Sequence, residues 1–316
     1  MKKGISYWSF EADLRSANPA YAEVFRLAKR AGFEAVEASV SSDPASILRF
    51  SSAAADIKAV KSAAAEGGIE ISSVASGEYW GVSLTDPDKS RRAQAVANVR
   101  NQLRVAAELG CGYILVVPGA VQPQFMPAAA PVPYDQCWKR AVDELGKCVR
   151  TAEQLQVTIG IENVWNRFLL SPLEMRAFCE TFDSDCVKAY LDVGNVMFNG
   201  FPQDWVRILG AKGKRDRRQY LCGLHIKDFR THFFLGDEKR KLAKVRQACQ
   251  TIARGSAWAG AYAFCDIGEG DVPAAAVMEA LKHVGFAGYL TAEMLPPYEG
   301  VITRTSRALD HFMGLN

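Results

Sequence analysis

Apolar residues recur along the chain in one phrase: an amphipathic helix, a glycine or polar turn, then a short apolar strand that closes on a polar residue. An internal repeat of this kind governs the choice of fold. In the first copy Asn18-Pro19 starts a helix with proline in its first turn, and Tyr21, Val24, Phe25 and Ala28 fall at helical spacing. Gly32 stops that helix, and residues 33–37 read as the strand. Later copies place strands at 69–76, 113–118, 157–162, 187–192, 220–225 and 289–293. Ser171-Pro172-Leu173-Glu174 is a capping-box start for one of the intervening helices. With residues 4–8 at the front, eight strands are predicted.

These strands are nearly all apolar rather than alternating. That is the mark of parallel strands covered outside by helices and filling a core inside. Eight units of roughly 40 residues fit a (β/α)₈ TIM barrel, an α/β architecture of ~250 residues plus insertions. The alternative, an open doubly wound sheet, lacks the Gly-x-Gly-x-x-Gly turn after its first strand. The expectation is a single domain over residues 1–316. Two long connections follow the fourth and seventh strands: 120–135, with Pro123, Pro127, Pro131 and Pro133, and 229–270, with a basic helical stretch at 239–246. In a barrel both lie at the C-terminal face, where active sites are built, and together they read as a functional lid.

The polar residues closing strands five to eight are Glu162, Asp192, His225 and Glu293. A lone strand-end glutamate is ordinarily solvated, and a lone histidine ordinarily finds a polar partner. Four such residues at the same end of consecutive units are different. Three carboxylates and an imidazole on one rim repel one another unless a cation sits between them. Hard oxygens with one nitrogen suit Mn²⁺, Mg²⁺ or Co²⁺ better than a structural zinc site. Of the other histidines, His232, His283 and His311, the last two sit on helical stretches and read as surface residues.

The same residues carry a resemblance. Ile161-Glu162-Asn163-Val164-Trp165-Asn166-Arg167-Phe168, Leu191-Asp192-Val193-Gly194-Asn195, Leu224-His225-Ile226-Lys227-Asp228-Phe229, Gly268-Glu269-Gly270-Asp271-Val272 and Leu290-Thr291-Ala292-Glu293-Met294 resemble the motifs of the xylose-isomerase-like sugar phosphate isomerase/epimerase superfamily. The functional groups it is most similar to are the ketose 3-epimerases and the L-ribulose- or L-xylulose-5-phosphate 3-epimerases. The resemblance implies a (β/α)₈ barrel with one divalent metal, commonly Mn²⁺, with Mg²⁺, Co²⁺ or Zn²⁺ as alternatives. It implies Glu162, Asp192, His225 and Glu293 as the ligands, and Glu162 and Glu293 as acid and base. There are two departures. Asn195 stands three residues past the ligand aspartate, where ketose 3-epimerases carry histidine. The stretch after His225 also differs, with Arg230 close to the place of their substrate-binding arginine.

A mechanism follows from charge. A divalent cation on the substrate carbonyl and a neighbouring hydroxyl stabilises the enediolate formed when the adjacent proton leaves. One glutamate takes that proton; the other returns it to the opposite face, or to the neighbouring carbon. Acid–base catalysis of this kind contributes ~10²–10⁴-fold. Trp8, Trp80 and Trp165 follow strand ends and read either as apolar walls for a sugar ring or as packing of the barrel rim. Asn195, Lys227 and Arg230 read as holders of sugar oxygens or a phosphate, with Asp228 as an ion-pair partner for one of these cations. Glu78 could hydrogen-bond a hydroxyl but reads first as a solvated loop residue, and Asp271 reads as the cap of the helix at 277–284. Lys212, Lys214, Arg215, Arg217 and Arg218 read as a solvated face at the opposite end of the barrel.

Composition narrows the picture further. The 316 residues are 49% hydrophobic and 23% charged, enough for a full core and far from a disordered chain. A net charge of +3 gives no ground for a nucleic-acid or membrane partner. Eight scattered cysteines without a Cys-x-x-Cys pair read as buried thiols in a reducing compartment. The two lysines at the amino terminus have no apolar run behind them, so no signal peptide or anchor is expected. The expected address is the cytoplasm and the expected partner a small sugar or sugar phosphate; barrels of this kind often pair, which leaves a homo-oligomer open. Three other functions compete. Dehydration or β-elimination of a keto-sugar or keto-inositol begins with the same deprotonation. An endonuclease of the superfamily needs a multi-zinc cluster with many histidines, against four here. A non-catalytic sugar-binding protein has no need of two metal-bound glutamates.

Overall fold

The computed structural model describes residues 1–11, 14, 20–123, 126, 129–213, 218–231, 262–295, 297 and 299–315. Its strands are β1 (Lys2–Ser6), β2 (Ala35–Ser39), β3 (Glu70–Ala75), β4 (Tyr113–Val116), β5 (Thr158–Glu162), β6 (Val187–Asp192), β7 (Leu221–Ile226), β8 (Asp228–Thr231), β9 (Tyr262–Cys265) and β10 (Tyr289–Ala292). Eight of them close into a barrel in the order β1-β10-β7-β6-β5-β4-β3-β2. Every neighbouring pair in that barrel is parallel. The architecture is a (β/α)₈ TIM barrel forming a single domain, and all eight predicted strands are in it.

The differences from the sequence reading are local. The first strand stops at Ser6, because the Ser6 hydroxyl accepts the Trp8 N–H and turns Tyr7–Ser9 into a 3₁₀ helix. The seventh strand runs one residue past His225, and Glu293 sits one residue beyond β10. The long seventh connection holds an antiparallel pair, β8 with β9, that the sequence did not disclose. Asn18-Pro19, Lys214, Arg215, Arg217, His232 and the basic stretch 239–246 lie outside the described residues.

Helices surround the barrel for the reasons the pattern gives. Ser171 caps the helix Pro172–Glu180: its hydroxyl accepts the Glu174 N–H, and Glu174 reaches back to the Leu170 N–H. Val24, Phe25, Ile57, Val99, Leu103 and Leu145 bury the helix faces against the strands. Inside the barrel a smaller layer of Ala75, Tyr113, Leu115 and Tyr190 fills the axis. The ring is tied shut where Lys3 on β1 meets Asp310 (2.6 Å) and Ser306 (2.8 Å) of the helix Val301–Met313.

The seven described cysteines are free thiols. Burial raises their pKa, to about 11 for Cys148, which disfavours the thiolate. No described helix is long and apolar enough to cross a membrane. His283 and His311 are exposed, and Arg218 pairs with Asp183 and Asp185 at the barrel's far end.

Candidate metal centre

The four strand-end residues meet. One ligand atom from each of Glu162, Asp192, His225 and Glu293 lies within 4.8 Å of all the others, and all four residues are buried. The barrel register sets this up, since Asp192 on β6 lies directly beside His225 on β7. His225 Nδ1 stands 3.6 Å from Glu162 Oε1, 4.0 Å from Asp192 Oδ2 and 3.4 Å from Glu293 Oε2.

Neighbours hold each ligand in place. The Asn163 side chain clips Asp192 from both sides, accepting its N–H (2.8 Å) and donating to its carbonyl (2.9 Å). Asp192 Oδ1 accepts the Asn195 N–H (2.8 Å), which aims Oδ2 at the centre. Asn195 donates to the Asn163 carbonyl (3.0 Å), closing the clip. Gly194 is required by a close approach: a Cβ there would lie 2.7 Å from Lys227 Cβ. Gly194→Ala is therefore expected to cost ~1–3 kcal/mol of stability, the usual penalty of overpacking, read as a lower denaturation midpoint. An unchanged midpoint would mean that the two segments can part freely.

Three buried atoms here have no hydrogen-bond partner among the described residues: Asp192 Oδ2, His225 Nδ1 and Glu293 Oε2. These three converge on one point beside Glu162, so the donor set fits a divalent cation. The Lys227 ammonium forms ion pairs with two of them, lying 3.1 Å from Asp192 Oδ2 and in contact with Glu293 Oε2. It partly offsets the negative charge.

This electrostatic setting makes the two glutamates unlike. Burial, only partly countered by His225, pushes the Glu162 carboxyl up to about 7. Burial raises Glu293 too, but Lys227 and then His225 outweigh it, and its carboxyl sits below the ordinary value.

A cavity of about 320 Å³ opens at the cluster, with Trp8, Trp80, Trp165, Asn195 and Lys227 among its walls. A second cavity of about 450 Å³ adjoins it, sharing Val164, Trp165 and Asn195. Trp165 is fixed by stacking on Phe264 (5.0 Å between centroids) and by its indole N–H donating to the Asn195 carbonyl (3.2 Å). Arg230 is placed differently: its guanidinium donates to the Glu269 carbonyl (2.7 Å), and it lines neither cavity.

Three supporting assignments are corrected. Among the described residues Asp228 pairs with no cation; its carboxylate accepts the N–H groups of Phe229, Gly268, Gly270 and Val272 at 2.8–3.1 Å. Asp271 does not cap the next helix, which starts at Ala274 after Pro273, without a side-chain cap. Glu78 is no free loop carboxylate, since it accepts from the Ser41 and Ser42 hydroxyls at 2.8 and 2.7 Å. One residue was missed altogether. Glu37, fully buried on β2, bonds to His225 Nε2 at 2.7 Å. Its signal was the one the ligands gave, an acidic residue closing a predicted strand, here residues 33–37.

Relatives agree with this architecture. L-ribulose-5-phosphate 3-epimerase UlaE of Salmonella typhi is 27% identical over 188 residues, which is 57% of this chain. This chain spans 61% of that relative's length. D-psicose 3-epimerase from Clostridium cellulolyticum H10, solved with D-tagatose, superposes with a TM-score of 0.71 at 19% identity, covering 99% of this chain and 98% of that one. The IOLI protein, solved with a bound zinc atom, superposes with a TM-score of 0.69 at 17% identity, covering 100% and 99%. The family model described as xylose isomerase-like TIM barrel matches residues 25–311, and the chain belongs to that family.

Proposed function

We propose that this chain is a divalent-metal-dependent isomerase or 3-epimerase of a small sugar or sugar phosphate. Glu162 and Glu293 are its paired acid and base, and residues 1–316 form one such domain. The observation that carries this reading is the convergence of four buried side chains, Glu162, Asp192, His225 and Glu293, at the mouth of a cavity. Glu162, Asp192, His225 and Glu293 would hold the cation, for which Mn²⁺ is our assignment; when bound it supplies Lewis-acid polarisation of the substrate carbonyl.

The chain's own residues do the rest. One glutamate accepts the proton beside the carbonyl. The other donates a proton to the opposite face, which inverts the carbon, or to the adjacent carbon, which isomerises the sugar. Trp8 and Trp165 flank the ring and exclude water, while Asn195 and Lys227 hold sugar oxygens. Arg230 keeps a substrate role only if the substrate reaches past Glu269. The sugar 3-epimerase names of the relatives support the reaction class. Free thiols suit a reducing compartment, and we assign the chain to the cytoplasm.

The test is a panel of ketoses and ketose phosphates in D₂O with Mn²⁺, followed by proton NMR. Deuterium is expected at a carbon next to the carbonyl, together with a new epimer or isomer. Loss of water or of an aglycone would make the chain a dehydratase or eliminase instead. No exchange with any member of the panel would defeat the proposal.

A further inference from the structure

We propose that Glu37 is a positioning residue for the cation: from across the barrel it takes the Nε2–H of His225 and so turns Nδ1 toward the ligand cluster. This rests on the metal-dependent reading above. Glu37 stands on β2 and His225 on β7, 188 residues apart, and the two strands are not neighbours in the barrel. Their side chains nonetheless meet at 2.7 Å, both fully buried.

The chemistry of the pair fixes the ring. An ionised carboxylate only accepts hydrogen bonds, and a neutral imidazole has one N–H and one lone pair. With the proton on Nε2, facing Glu37, the lone pair is left on Nδ1. That nitrogen has no hydrogen-bond partner among the described residues, and it faces the oxygens of Glu162, Asp192 and Glu293.

Glu37 is itself held. Its Oε2 accepts from the Ser73 hydroxyl and the Tyr190 hydroxyl, each at 2.8 Å, leaving Oε1 for His225. Tyr190 also packs edge-on against the His225 ring, with centroids 4.7 Å apart at 67°. Ring plane, ring direction and proton position are thus all set by one network on the inner side of the site. A buried pair serving stability alone would not need the second nitrogen aimed at the oxygens of three carboxylates.

The experiment uses the full chain stripped of metal, titrated with Mn²⁺ by calorimetry and with Co²⁺ by visible absorption. Outer partners of a metal-bound histidine are typically worth ~10–100-fold in metal affinity. Glu37→Gln is expected to raise the Mn²⁺ Kd by about that factor and to shift the Co²⁺ bands. Tyr190→Phe, which removes one donor from Oε2, is expected to give a smaller rise. Thermal midpoints of the metal-free chains separate the alternatives, because a purely structural role lowers the midpoint and leaves Kd and spectrum unchanged. Unchanged Kd and spectrum in Glu37→Gln would overturn the proposal; if that variant does not fold, the same result in Tyr190→Phe would do so. A native chain that binds no divalent cation would instead refute the reading beneath it.

Discussion

Glu293→Gln is expected to lower the rate of sugar interconversion by ~10²–10⁴-fold, the usual worth of a positioned acid–base group, or about 3–5 kcal/mol of barrier. The amide keeps the shape of the side chain and an oxygen that can still face the centre. It cannot accept a proton from carbon. Lys227 loses its contact with an anion but keeps Asp192 Oδ2 at 3.1 Å, so the site should stay assembled when Mn²⁺ is saturating. Sugar binding, measured by calorimetry, should therefore change little while turnover collapses. The sharper measurement is isotope wash-in. If Glu162 and Glu293 serve opposite faces, each Gln variant should still exchange the reactive proton of one epimer and fail with the other. Equal exchange of both epimers at the native rate would remove Glu293 from the chemistry.

What could be read from the sequence follows from where the information sits. Glu162, Asp192, His225 and Glu293 each close an apolar run in the same repeated unit, so their common rim follows once the repeat is recognised. Glu37 lies in an equivalent strand, but its partners Ser73, Tyr190 and His225 come from three other strands. Local periodicity holds no record of a hydrogen bond that crosses the barrel. The β8–β9 pair was hidden for a similar reason: its two short strands pair across a long insertion. Asp228 shows how composition misleads. An acidic residue beside Lys227 and Arg230 looks like an ion-pair partner. The turn at 268–272 instead brings backbone N–H groups onto it, and a Cβ at Gly270 would collide with its carboxylate. Backbone donors are invisible in a residue pattern.

Removing divalent metal is expected to abolish activity and to lower thermal stability together, with Mn²⁺ restoring both. The cause is the charge balance of the buried centre. Among the described residues, four buried carboxylates, Glu37, Glu162, Asp192 and Glu293, meet two protonatable partners, His225 and Lys227. Buried carboxylates at such spacing disfavour one another unless a cation neutralises them. A cation that binds only the folded chain stabilises it by RT ln(1 + [M]/Kd), about 2.7 kcal/mol at a hundredfold excess over Kd. For domains of this general size 1 kcal/mol moves the midpoint by ~2–4 °C, so a rise of about 5 °C or more is expected with Mn²⁺. The measurement is a thermal scan of chelator-treated protein against each of Mn²⁺, Mg²⁺, Co²⁺ and Zn²⁺, with sugar turnover assayed on the same samples. The cation giving the highest midpoint need not give the fastest turnover, because tight ligation and substrate polarisation make different demands on the ion. Full turnover after chelation, with no midpoint shift from any of the four ions, would leave the convergent carboxylates without the role assigned to them.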